Sequence, residues 1–185
     1  MAPDPTFSDL AAQTQAVLAR ISAELEGVRP SAVRSWPVDP LALVEEATAS
    51  RLLREVSDWA GAGQPCLYYL ECRSADVDLA EIAGAFAAAK ARKRRARAYP
   101  HPNSRGTCLY VGSSRSMGKR LREHLGYGAA GTYALQLAHW ATPLSLQLDF
   151  VCARYARDTP PDVIQALKDT LWDARQPMFG RRGAR

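Results

Sequence analysis

Two tyrosines, an arginine and a histidine are the residues of this 185-residue chain whose types and order could act on a phosphate. Tyr68 lies in the apolar, aromatic stretch from Cys66 to Cys72, and Tyr110 lies in a second such stretch from Thr107 to Val111. Gly112-Ser113-Ser114 then turns the chain, and Arg120 and His124 follow one helical turn apart. A glycine turn that opens into a helix suits a phosphate site. Cutting a phosphodiester requires a water or hydroxide aimed in line, a base for its proton, and positive charge over the phosphoryl oxygens. Taken singly, the tyrosines read as ordinary strand aromatics and Arg120 and His124 as a solvated helix face. Only the ordered set points to chemistry.

The charge distribution points to the same class of ligand. Residues 1–89 carry 6 basic and 13 acidic side chains, a net charge of −7. Residues 90–122 carry 11 basic and no acidic ones, and residues 123–185 carry 7 and 6. A cationic stretch of this density repels itself unless it meets solvent or a polyanion, so nucleic acid is the partner to expect. Its densest part is Lys90, Arg92, Lys93, Arg94, Arg95 and Arg97; with Lys119 and the Gly112-Ser113-Ser114 turn these are the candidate nucleic-acid contacts.

The elements that must hold these residues follow from spacing. Leu10, Val17, Leu18, Ile21 and Leu25 predict a first helix, and Leu41, Val44, Leu52, Val56 and Trp59 a second one, separated by a link containing Pro30, Pro37 and Pro40. Residues 1–60 therefore read as a helical extension that packs on the rest or contacts a protein partner. Cys66 to Cys72 predicts a strand. Leu79, Ile82 and Phe86 begin a helix whose stripe continues as Lys90, Lys93 and Arg97, so that it leaves the core with a cationic end. Thr107 to Val111 predicts a second strand, and Met117, Leu121 and Leu125 a short helix beside Arg120 and His124. Thr132 caps a predicted helix through Tyr133, Leu137 and Trp140; Leu144 to Cys152 alternates as a third strand; and Ile164, Leu167 and Leu171 lie on a last helix ending before Pro177. Trp172 and Phe179 are expected in the core, His139 on a helix surface and His101 in a proline loop.

The four cysteines, Cys66, Cys72, Cys108 and Cys152, have no CxxC or CxxH spacing and read as buried free thiols. No apolar run approaches the 18 or more residues of a membrane span, and the first residues lack a signal-peptide pattern, so a cytoplasmic protein without membrane contact is expected.

The order of tyrosine strand, tyrosine strand, glycine turn, arginine, histidine and proline-ended helix resembles the GIY-YIG nuclease superfamily. Cys66-Leu67-Tyr68 is a degenerate first half-motif, Tyr110-Val111-Gly112 a good second one, and the specific stretch is LYVGSSRSMGKRLREHLG. The resemblance covers roughly residues 64–182. It implies an α/β domain with a small three-stranded antiparallel-type sheet flanked by helices, preceded by the 1–60 extension and carrying a basic insertion at 74–105 where the family has a short hairpin. It further implies a metal-dependent endonuclease in which Tyr68, helped by Tyr110, activates or positions the water, Arg120 holds the phosphate and His124 assists proton transfer or orientation. A single Mg²⁺ or Mn²⁺ held by a glutamate on the last helix would stabilise the leaving group.

That glutamate is not in register here. Counting back from Pro177-Met178-Phe179-Gly180 puts Lys168 at its position and Gly180 at the position of a following asparagine. A lysine ammonium has no lone pair for a metal, but it can attract a phosphate. Asp169 is an alternative ligand that one helical step rotates by about 100 degrees. Three readings stay open: an active nuclease with an unusual metal ligand, a catalytically silent module that binds nucleic acid, DNA in the first instance, and a protein-interaction subunit with an idle site.

Overall fold

The computed structural model describes residues 9–73, 77–92, 97–103 and 106–183. Five α-helices and four strands are formed among them: α1 (Leu10–Leu25), β1 (Ala32–Val38), α2 (Glu46–Ala60), β2 (Cys66–Cys72), α3 (Leu79–Arg92), β3 (Cys108–Ser114), α4 (Met117–Leu125), β4 (Leu148–Arg154) and α5 (Pro161–Arg175). All strand pairs are antiparallel, in the order β1-β4-β2-β3. The mixed α/β class expected from the sequence is thus formed, with four strands instead of three.

The extra strand, β1, falls inside the segment expected to be a helical extension. Its alternation is confined to Trp36 and Val38, which are buried, while the residues before them face outward or stay half-buried. Pro37 is tolerated because β1 is an edge strand, where a missing N–H costs no ladder bond on the open side. Trp36 pairs with Phe150 across the sheet and meets Trp59 of α2 edge to face at 5.2 Å. β1 and α2 are therefore built into the core. Helix α1 is different: none of its residues is buried, Leu10, Val17 and Leu18 are exposed, and it reaches the rest through an ion pair from Arg20 to Asp162 on α5.

The sheet buries both faces. Cys66, Tyr68, Leu70 and Cys72 of β2, with Leu148, Phe150 and Cys152 of β4, form the face that packs against Val56, Ile82, Phe86, Leu121 and Leu125 of the helices. Leu67, with Ala153 beside it, lies on the opposite face, packed with Tyr155 and with Ile164 and Leu167 of α5. Period-two alternation in the strands and the 3.6-residue period in the helices account for both layers. The four cysteines are free and buried, and burial pushes the Cys72 thiol up to about 11 and the Cys108 thiol up to about 12. Those two thiols lack a nucleophile's character.

Two other expectations are corrected. The segment from Thr132 to Trp140 forms turns and a 3-10 turn at Leu137–His139 where a helix was expected. The backbone N–H of Leu135 bonds the ring of His124, and Gln136 adopts φ 59°, so a helical ladder cannot propagate. The third strand begins at Leu148, not Leu144, because Thr142–Leu144 is a 3-10 turn followed by Ser145 at φ 45°.

Candidate functional site

β2 and β3 place Tyr68 and Tyr110 diagonally on one face: Tyr68 pairs with Gly112 and Leu70 with Tyr110. Their rings lie nearly parallel, with centroids 6.2 Å apart. This approach requires glycine at position 112, where a Cβ would come within 2.6 Å of Tyr68 Cζ and 3.0 Å of Tyr110 Cε1. Gly112, Ser113 and Ser114, expected to turn the chain, instead pair with β2 as the end of β3, and the bend falls at Arg115 and Ser116, where the Ser114 hydroxyl accepts from the Ser116 N–H; α4 then brings Arg120 and His124 against both rings.

The hydrogen bonds fix protonation. Leu135 N–H donates to His124 Nδ1 at 3.2 Å, so that nitrogen carries no proton. The proton of the neutral imidazole is then on Nε2, which donates to Tyr68 Oη at 2.8 Å. Arg120 Nε donates to the same oxygen at 3.0 Å. Tyr68 Oη therefore accepts two hydrogen bonds, and its own proton is left for a group in the cavity that Tyr68 lines. Burial, and after it the Arg120 charge, holds His124 well below its usual range. Burial raises Tyr68 above the ordinary phenol range, more than Arg120 lowers it. His124 is thus an orienting neutral donor and Tyr68 a neutral hydroxyl in the cavity lining; neither is poised as a base at neutral pH.

Arg120 ties the group together. Nη2 donates to Tyr110 Oη at 3.0 Å and to the Tyr133 carbonyl at 3.1 Å, and Nη1 pairs with Glu123 at 2.8 Å. Four of its five N–H groups have partners among the described residues, so it organises the tyrosines as much as it attracts an anion. Glu123 and Tyr133 were not singled out in the sequence. The spacing of Arg120 and Glu123, three apart on a helix, was the available signal for the first; nothing in the sequence marks the second.

These side chains open onto a cavity of about 940 Å³. Gly112 and Ser113 line it as expected, whereas Ser114 and the exposed Lys119 do not. Of the basic insertion, Lys90 lines it and donates to the Pro100 carbonyl at 3.2 Å, Arg97 bonds Gln136 at 2.9 Å, and Arg92 is exposed. Lys93, Arg94 and Arg95 lie outside the described residues. Tyr99 and Pro100 bring the insertion back as one wall.

Lys168 lines the cavity from α5, is 3% exposed and donates to Gln165 at 3.0 Å. Asp169 instead accepts from Gln165 and from the Gly183 amide and is not in the lining. Arg181 contributes a further cation. No aspartate or glutamate lines the cavity among the described residues, and no group of three His, Cys, Asp or Glu there could hold a metal ion. A lysine where a ligand carboxylate would stand does not fit a divalent ion. The chain matches no family model, no curated protein and no solved structure. The likeness to GIY-YIG nucleases rests on the ordered motif alone.

Proposed function

We propose that this chain is a GIY-YIG-like protein that binds nucleic acid, DNA in the first instance, through phosphate groups held in the cavity beside Tyr68 and Arg120, and that it does so without metal-dependent cleavage. The observation that carries the reading is the cavity lining: Lys90, Arg120, Lys168 and Arg181 line it together, and no aspartate or glutamate does so among the described residues. A phosphodiester oxygen could take the Tyr68 proton and the ammonium of Lys168, while Arg120 supplies positive charge from behind. The three requirements for cutting are met only in part, because Tyr68 and His124 are not poised as bases at neutral pH and no group of three His, Cys, Asp or Glu among the described residues could hold a metal ion to activate a water.

The test is binding of labelled DNA between about 50 and 200 mM salt. Lys168→Gln and Arg181→Gln should each flatten the dependence of log affinity on log salt by about 0.9. Incubation of wild type with Mg²⁺ or Mn²⁺ should leave the DNA intact. Cleavage that Tyr110→Phe removes would establish an active enzyme instead, and salt-insensitive binding would refute the phosphate site.

A further inference from the structure

The cationic cavity adjoins a second one. His101 and Arg181 line both, and the second, of about 670 Å³, has Trp172 as its aromatic residue. The sequence suggested that Trp172 belongs to the core; it is half-buried and lines this groove. Gly180 lets the ring lie there: at φ 113° it has no side chain, and a Cβ would come within 3.1 Å of indole Cη2 and Cζ3.

The groove is held rigid by bonds within the protein. Gly180 N–H donates to the His101 carbonyl at 2.7 Å. Asn103 Nδ2 donates to the carbonyls of Pro177 and Gly180, which turns its Oδ1 toward His101 Nδ1 at 3.2 Å. That nitrogen must carry the proton, so a neutral His101 presents Nε2 as an acceptor. Asp173, the acidic residue of the groove, is paired with Arg182 at 2.8 Å and does not confront an incoming phosphate alone.

A flat indole beside a hydrogen-bonding imidazole, with Arg181 shared by the adjoining cationic cavity, has the composition of a nucleotide subsite. We propose that Trp172 stacks a nucleobase whose adjoining phosphate lies in the Tyr68–Arg120 cavity, so that the protein takes single-stranded nucleic acid in preference to duplex. A base inside a duplex has both faces covered by its neighbours, and only an unstacked base can lie on Trp172. The inference rests on the reading of the cationic cavity as a phosphate site.

The test uses the full chain and labelled oligonucleotides of one length: single-stranded DNA, single-stranded RNA, duplex DNA, and an abasic strand with the same phosphates. Wild type should bind the base-containing single strands about 5- to 150-fold more tightly than the abasic strand, the range one stacked base supplies. Trp172→Ala should abolish that preference while leaving abasic binding unchanged, and Trp172→Phe should restore most of it. Indole emission of wild type should be quenched by the base-containing strands, less so in Trp172→Phe; this arm does not depend on the alanine variant folding. Equal binding of abasic and base-containing strands by wild type, without quenching, would overturn the stacking subsite and leave the phosphate site standing. Failure of folded wild type to bind any strand would overturn both.

Discussion

Replacing Tyr68 by phenylalanine keeps the ring and removes one oxygen, and the geometry sets what that costs. Tyr68 Oη accepts from His124 Nε2 at 2.8 Å and from Arg120 Nε at 3.0 Å. His124 is 0% exposed and Tyr68 1%, so water cannot replace the lost acceptor for the imidazole. A buried donor left unpaired costs about 1–3 kcal/mol. Arg120 is less buried, at 20% side-chain exposure, and keeps its bonds to Glu123, Tyr110 and Tyr133, which puts its share at the low end of that range. The two together give about 2–4 kcal/mol, or a fall in Tm of about 4–16 °C at this chain length. Tyr110→Phe is the control. Its hydroxyl accepts one bond, from a nitrogen that also serves Tyr133, and Tyr110 is only half-buried, so the expected cost is below about 1 kcal/mol. Urea unfolding of the three proteins, with m-values unchanged, measures both costs. A loss below about 0.5 kcal/mol for Tyr68→Phe, or a larger one for Tyr110→Phe, would refute the assigned tautomer and the two-acceptor role of Tyr68.

Gly112→Ala should lower stability by about 1–3 kcal/mol and weaken DNA binding, because the new methyl meets two packed tyrosine rings, whereas Gly27→Ala, with nothing within 4 Å, should do neither; thermal melts and DNA titrations of the pair decide it. His124 has a depressed folded-state pKa, so below the ordinary histidine range the unfolded chain binds a proton that the folded one does not. Stability should fall with falling pH by up to about 1.4 kcal/mol per unit from about pH 6.5 downward. In His124→Asn this slope should be shallower; parallel pH profiles would sink the assignment. Lys168→Glu returns a carboxylate to the cavity beside Tyr68 and Arg120, and it should weaken metal-free DNA binding while introducing a Mn²⁺-dependent change in it, read by titrating the metal against bound DNA.

What was legible in the sequence was what is local. The order from Tyr110 to His124 spans one strand, one bend and one helix, and it carries Arg120 and His124 to Tyr110, whereas their bonds to Tyr68 on another strand were expected through the family resemblance. β1 was hidden because Pro37 and only two buried positions mark it; a partner strand more than a hundred residues away makes it a strand. The helical spacing of Tyr133, Leu137 and Trp140 misled because a tertiary bond, from Leu135 to His124, took the N–H that a helix would have used. Lys168 was placed by counting along a helix, and a helix preserves such a count. Trp172, on the same helix, was misjudged because its surroundings are set by Gly180, beyond the helix end.

The substitution of a lysine at the inferred metal-ligand position has a simple electrostatic consequence under the proposed reading. A carboxylate carrying a divalent ion has a net charge of +1 toward an approaching phosphate, and a lone ammonium has the same. The long-range attraction that gathers a polyanion is therefore preserved when lysine replaces the pair. What disappears is the open coordination position, and with it both the activated water and the cation that would lower a tyrosine's pKa. In this cavity burial already holds Tyr68 neutral, and His124 donates instead of accepting. Under that reading, charge and shape for holding a phosphate persist independently of the chemistry for breaking it, and the set stays tied together because Tyr68 Oη is the shared acceptor for His124 Nε2 and Arg120 Nε in a buried site.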